Sequence, residues 1–164
     1  QLDDELGINL WYVHKSRRIY NYDERLQYEI GPHYGFMLGN VYSYVNAGIM
    51  LRYGSQLKFD IGPPSIAPGF TGAPVFNPNY ERHWYVFAGL EARLVARNIF
   101  LDGNSFRDSH SVEKKPFVMD LQLGISYLFN DLRLSFVQMF RSKEFDGQDD
   151  VEHFGAINLT FFYL

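Results

Sequence analysis

The chain has 164 residues, 46% apolar and 18% aromatic, with 14 Gly, 7 Pro and no Cys, and its 15 basic and 19 acidic residues leave a formal charge of −4. This length admits one domain with a workable core. The aromatic load excludes the disordered class, the lack of Cys excludes a disulfide scaffold, and the dispersed, acid-leaning charge argues against a nucleic-acid surface. The longest apolar run, Trp84 to Leu90, is seven residues, far below the roughly 20 that a membrane-spanning helix needs. A membrane β-barrel stays open, since its strands need only about 9–11 alternating residues. The chain opens at Gln1 without an initiator Met or a signal-peptide pattern, so a mature form or a fragment is expected.

In chain order, period-2 alternation marks seven segments of strand length. Segment 6–15 has Leu6, Ile8, Leu10 and Tyr12 as its apolar set. After an Asn/Asp-rich turn at 21–24, segment 26–38 sets Leu26, Tyr28, Ile30, Tyr34, Phe36 and Leu38 against Gln27, Glu29, Gly31, His33 and Gly35. A turn at 39–42 leads to 45–53, where Val45, Ala47, Ile49, Leu51 and Tyr53 oppose Asn46, Gly48, Met50 and Arg52. Residues 55–82 carry five of the 7 Pro and are expected to form a long loop. Segment 84–97 puts every charge, Glu91, Arg93 and Arg97, on one face, opposite Trp84 and a run of small and branched apolar residues. Segment 117–129 is the clearest, with Phe117, Met119, Leu121, Leu123, Ile125, Tyr127 and Phe129 all on one face. Segments 132–141 and 156–163 complete the series, joined to what precedes them by the Asn130-Asp131 turn and by a connection at 146–152.

Apolar bands of five to seven positions with aromatics near strand ends match a membrane barrel, apolar outside and polar inside. The alternative from periodicity is a soluble lipocalin-like barrel with the faces reversed. On the membrane reading, Glu29, His33, Arg52, Glu91, Arg93, Arg97, Asp120 and Arg133 face the lumen, where a near balance of signs favours mutual pairing over a polar path. An odd number of strands cannot complete an outer-membrane wall, because an open edge in lipid leaves backbone groups unpaired. About seven strands of a larger barrel are therefore expected.

Gly31-Pro32-His33-Tyr34-Gly35, Gly39-Asn40-Val41-Tyr42, Phe87-Ala88-Gly89-Leu90-Glu91, the stretch from Ala96 through Asn98 and Asp102 to Asn104, and Arg141-Ser142-Lys143-Glu144-Phe145 together resemble the lipid A deacylase family of Gram-negative outer membranes, the LpxR type. The aromatic end Phe161-Phe162-Tyr163-Leu164 is similar to an outer-membrane assembly signal. The resemblance runs over nearly the whole chain. It implies an all-β, antiparallel, twelve-stranded transmembrane barrel of which this chain is the C-terminal portion, an outer-membrane location, and lipid A or lipopolysaccharide as substrate. It further implies a calcium-dependent esterase that removes the 3'-linked acyloxyacyl group. The family's catalytic Asn-Asp pair, Ser or Thr, and His belong before the matching portion, so no catalytic residue and no metal ligand is assigned to this chain. The rival reading is a non-enzymatic outer-membrane barrel, either structural or a pore.

No other motif supplies the chemistry. There is no G-x-S-x-G, H-E-x-x-H or phosphate-binding Gly loop. Asp108, Ser109, His110 and Ser111 include the residue types of a hydrolytic triad, but neighbours on an extended chain point to opposite faces. The acidic groups Asp146, Asp149, Asp150 and Glu152, and Asp102, Asn104 and Asp108, match no defined calcium loop. Strand parity, with the last strand descending to the periplasm, places the connection 102–115 outside the cell. There Arg107, His110, Lys114 and Lys115 are candidates for contact with lipid A phosphates. The same parity puts the long Pro-rich loop on the periplasmic side.

Overall fold

A computed structural model describes residues 6–63, 82–104, 113–148 and 150–161. Eight strands form one antiparallel sheet: β1 (Asn9–Lys15), β2 (Arg18–Asn21), β3 (Leu26–Gly39), β4 (Tyr42–Ser55), β5 (His83–Asn98), β6 (Phe117–Phe129), β7 (Leu132–Arg141) and β8 (Glu152–Phe161). Their order is β1-β3-β4-β5-β6-β7-β8, with β2 also on β3. The two first strands are halves of one row. Lys15 faces His33 and Arg18 faces Ile30, so Ser16 and Arg17 stand against Gly31 and Pro32 without a change of register. The break falls at Pro32, which has no N–H to donate; its carbonyl still accepts from Ser16 N at 3.0 Å. The wall thus has seven rows, as the alternation predicts, and its first and last rows are not paired with each other among the described residues.

The faces follow the pleat. Along β6 exposure and burial alternate, with Phe117, Met119, Leu121, Leu123, Ile125, Tyr127 and Phe129 outward and Val118, Asp120, Gln122, Ser126 and Leu128 buried. Apolar side chains therefore face out and polar ones in, the arrangement of a membrane barrel and the reverse of a soluble one. The sheet curls far enough that Arg52 of β4 and Arg133 of β7 meet the same carboxylate, that of Asp60. At one end of the outer face, Tyr20, Tyr28, Tyr53, Trp84, Tyr127, Phe129 and Phe161 form an exposed aromatic girdle. Tyr20 stacks on Tyr28 with ring centroids 5.0 Å apart, and Tyr53 meets Trp84 edge-on at 6.4 Å.

The inner face is layered. Nearest the girdle end, Leu57, Tyr85, Phe87, Leu128 and Val137 form an apolar cluster with Ile19 and Met50 against it. Toward the other end Tyr44, Val95 and Val118 form a second. Phe87 fits because residue 124 is glycine: a Cβ there would lie 2.3 Å from Phe87 Cζ. The connections are short where expected, and Asn130 takes the left-handed backbone (φ 52°) that Asn tolerates in a two-residue turn. The described start of the expected loop 55–82 is structured. Ser55 ends β4, and Leu57–Phe59 forms a 3-10 turn whose Leu57 is fully buried. Pro is absent from residues 55–62, so nothing prevents that start from folding inward.

Candidate functional site

Antiparallel pairing puts alternate residues of β3 to β7 on one inner surface, where two ionic clusters form. The cluster nearer the girdle is built on Glu29 and Asp60. Glu29 accepts from Arg17 Nε and Nη2 at 3.1 and 2.7 Å, and from Arg52 Nε at 3.1 Å and Arg52 Nη2. Asp60 is fully buried. Its Oδ1 accepts from Gly62 N at 2.7 Å and faces Arg52 Nη1 at 3.4 Å; its Oδ2 accepts from Tyr85 Oη at 3.0 Å and Arg133 Nη1 at 3.3 Å. Backbone carbonyls complete the cage: Arg17 Nη2 donates to Leu57 and Asp60, at 3.1 and 2.9 Å. The start of the β4–β5 connection is thereby tied to four rows of the wall.

The second cluster runs as alternating charges toward the far rim. His33 Nε2 lies 3.0 Å from Glu91 Oε2, which also accepts from Asn46 Nδ2 at 3.0 Å. Arg93 Nε is 3.7 Å from Glu91 Oε1, and Arg93 Nη2 donates to Asp120. Arg141 Nε donates to Asp120 Oδ1 at 2.8 Å, and its Nη1 lies 3.6 Å from Glu144. Gly48 makes room for this arrangement: a Cβ there would lie 2.6 Å from His33 Cε1 and 2.5 Å from the Leu90 carbonyl.

Of the eight residues expected to face the lumen, Glu29, His33, Arg52, Glu91, Arg93, Asp120 and Arg133 are buried on the inner face. Arg97 stands at the rim, half-buried, donating to the carbonyls of Asn40 at 2.8 Å and Gly103 at 3.1 Å. Arg17, Asn46, Asp60, Tyr85 and Arg141 join these clusters and were not among the expected residues. Parity was a usable signal for Arg17 and Arg141, which continue the inner faces of their rows. Asp60 had no such signal, because it lies beyond the alternating segments.

The candidate phosphate contacts are dispersed. Arg107 and His110 lie outside the described residues. Lys114 Nζ is held 2.6 Å from both oxygens of Asp102, which also accepts from Asn98 N at 2.7 Å and so closes the four-residue helix α1 (Ile99–Asp102). Lys115, more exposed, lies 3.3 Å from Asp146, and a bridge between Lys114 and Phe145 joins the two rim connections. Asp108, Ser109, His110, Ser111 and Asp149 fall outside the described residues. Among the described residues no three His, Asp or Glu side chains converge as a metal ion requires. Asp60, Glu29 and Asp120 are instead engaged by guanidinium groups.

An apolar outer face with an aromatic girdle, around an inner face of paired charges, defines an outer-membrane β-barrel protein. The chain belongs to the LpxR family: the family model described as "Outer membrane protein LpxR" matches residues 1–163. Among solved structures, LpxR from Salmonella typhimurium matches with a TM-score of 0.81 at 18% identity, over 99% of this chain and 54% of that one. The chain therefore spans about half the length of the structure that it matches. No curated protein matches it.

Proposed function

We propose that this chain is part of an outer-membrane lipid A 3'-O-deacylase, an esterase that hydrolyses the ester of an acyloxyacyl chain on lipid A. The observation that carries this reading is the family match over residues 1–163. On it, this chain corresponds to the C-terminal portion of the enzyme and supplies wall and inner support, while the nucleophile and its activating groups are carried by strands beyond the ones described. The inner face is consistent with support, since its carboxylates are spent on arginines and on His33. Calcium in the intact enzyme would stabilise charge developing at the ester; no step through it is assigned to residues of this chain. Lipid A would enter at the rim opposite the girdle, where Lys115, Lys114 and Arg107 would meet its phosphates.

Mass spectrometry of lipid A from cells expressing the intact gene tests the reaction. Loss of the acyloxyacyl mass is expected, and an unchanged lipid A profile counts against deacylation and in favour of a non-enzymatic barrel. Replacing Arg107, Lys114 and Lys115 together by Gln in the same gene should lower the fraction deacylated while the protein still reaches the outer membrane. An unchanged fraction removes these residues from substrate binding.

A further inference from the structure

The strand ends below the aromatic girdle carry a cationic cleft. Arg25 lies in the turn between β2 and β3, Lys58 in the 3-10 turn after β4, and Arg82 just before β5. The three line one cleft of about 620 Å³, in which Glu24 is the single acid among the described lining residues. All three are exposed. Ion pairs between described residues engage Arg17, Arg52, Arg93, Arg133 and Arg141 but not these three. Two of them contact rings instead: Lys58 Nζ lies 4.9 Å from the Phe59 centroid, and the Arg82 guanidinium lies 4.8 Å from that of Phe129, itself a girdle residue; Arg25 has the Asp23 carboxylate as its charged neighbour.

Position gives this charge its meaning. Aromatic girdles of membrane barrels sit at the level of the lipid headgroups. Arg82 is two residues from Trp84, Lys58 follows Tyr53 by way of Ser55, whose Oγ accepts from Trp84 N at 3.2 Å, and Arg25 lies between Tyr22 and Tyr28. Cations one step beyond such a girdle stand where phosphates are, and guanidinium and ammonium groups bind phosphate oxygens through charge-assisted hydrogen bonds. We propose that Arg25, Lys58 and Arg82 form a binding site for the phosphodiester headgroup of an anionic phospholipid in the leaflet at the girdle end. The site lies at the opposite strand ends from Lys114 and Lys115, so it does not depend on the deacylase reading.

The chain has 2 Trp, and Trp84 borders the cleft. The intact protein, with Trp11 and every other Trp except Trp84 replaced by Phe, is reconstituted into phosphatidylcholine bilayers containing either brominated phosphatidylglycerol or brominated phosphatidylcholine, and quenching of Trp84 is followed. Three cations near an anionic headgroup, partly screened by salt, predict quenching by the brominated anionic lipid at roughly 10- to 100-fold lower mole fraction. Arg25→Gln with Lys58→Gln and Arg82→Gln should bring the two lipids together. The charge-retaining set Arg25→Lys, Lys58→Arg and Arg82→Lys should keep them apart, which separates loss of charge from loss of fold. Equal quenching by both lipids in the parent, or a preference that survives the Gln set, overturns the proposal. Loss of the preference on adding excess inorganic phosphate at constant ionic strength overturns the lipid assignment in favour of a free-anion site.

Discussion

His33 reaches Glu91 only because residue 48 has no side chain. A methyl group at Gly48 would meet both the imidazole and the Leu90 carbonyl, and the carbonyl cannot give way without breaking the β4–β5 ladder. Gly48→Ala is therefore expected to destabilise the folded barrel by about 1–3 kcal/mol, read as a lower urea midpoint for unfolding from lipid vesicles. Asp23 acts by a different route. Its carboxylate accepts from the backbone N–H groups of Arg25 and Leu26, each at 2.7 Å, and these bonds hold its pKa below the ordinary carboxylate range. Its contribution to the turn is complete above the unfolded-state pKa of about 3.9 and is lost as pH falls through the lowered folded value. Amide exchange at Arg25 and Leu26 should stay slow through pH 4 and quicken only below it, whereas Asp23→Asn should make exchange there independent of pH in that window once the intrinsic rate is divided out.

At the start of the β4–β5 connection, one side chain gathers partners from several rows. Asp60 receives Arg52, Arg133, Tyr85 and the Gly62 amide, so Asp60→Asn leaves buried guanidinium groups short of their counter-charge. A loss of about 3–5 kcal/mol is expected, with faster proteolysis within residues 55–63. Arg133→Met added to Asp60→Asn should restore part of that stability, because a buried unpaired charge costs more than its removal. If the double variant is no more stable than Asp60→Asn alone, Asp60 is not the anchor. Periodicity identified the rows on either side of this connection, and the Pro content of 55–82 marked it as a loop. The inward fold of its first residues was not legible, because a buried Asp outside any alternating segment looks the same in sequence as a solvated one.

For the whole molecule, the division into a lipid-facing and a polar face predicts a depth-dependent cost of charge. Leu121 lies mid-strand beside Leu90 and Phe140, whereas Phe129 sits in the girdle. Leu121→Arg should cost about 2–4 kcal/mol and Phe129→Arg about 0–1, measured by refolding into vesicles; equal costs would contradict a transmembrane wall. The sequence by itself determined the strands and their faces, because a period of two is a local property of an extended chain. It also determined which charges turn inward: Glu29, His33, Arg52, Glu91, Arg93, Asp120 and Arg133 all follow from parity. Only the tertiary structure decided their partners. Arg52 and Arg133 are brought to Asp60 by curvature and register across four rows, and Arg93 to Asp120 by the offset between β5 and β6. Pairing between distant rows depends on the summed registers and coiling of every row between them, quantities that no single segment of sequence contains.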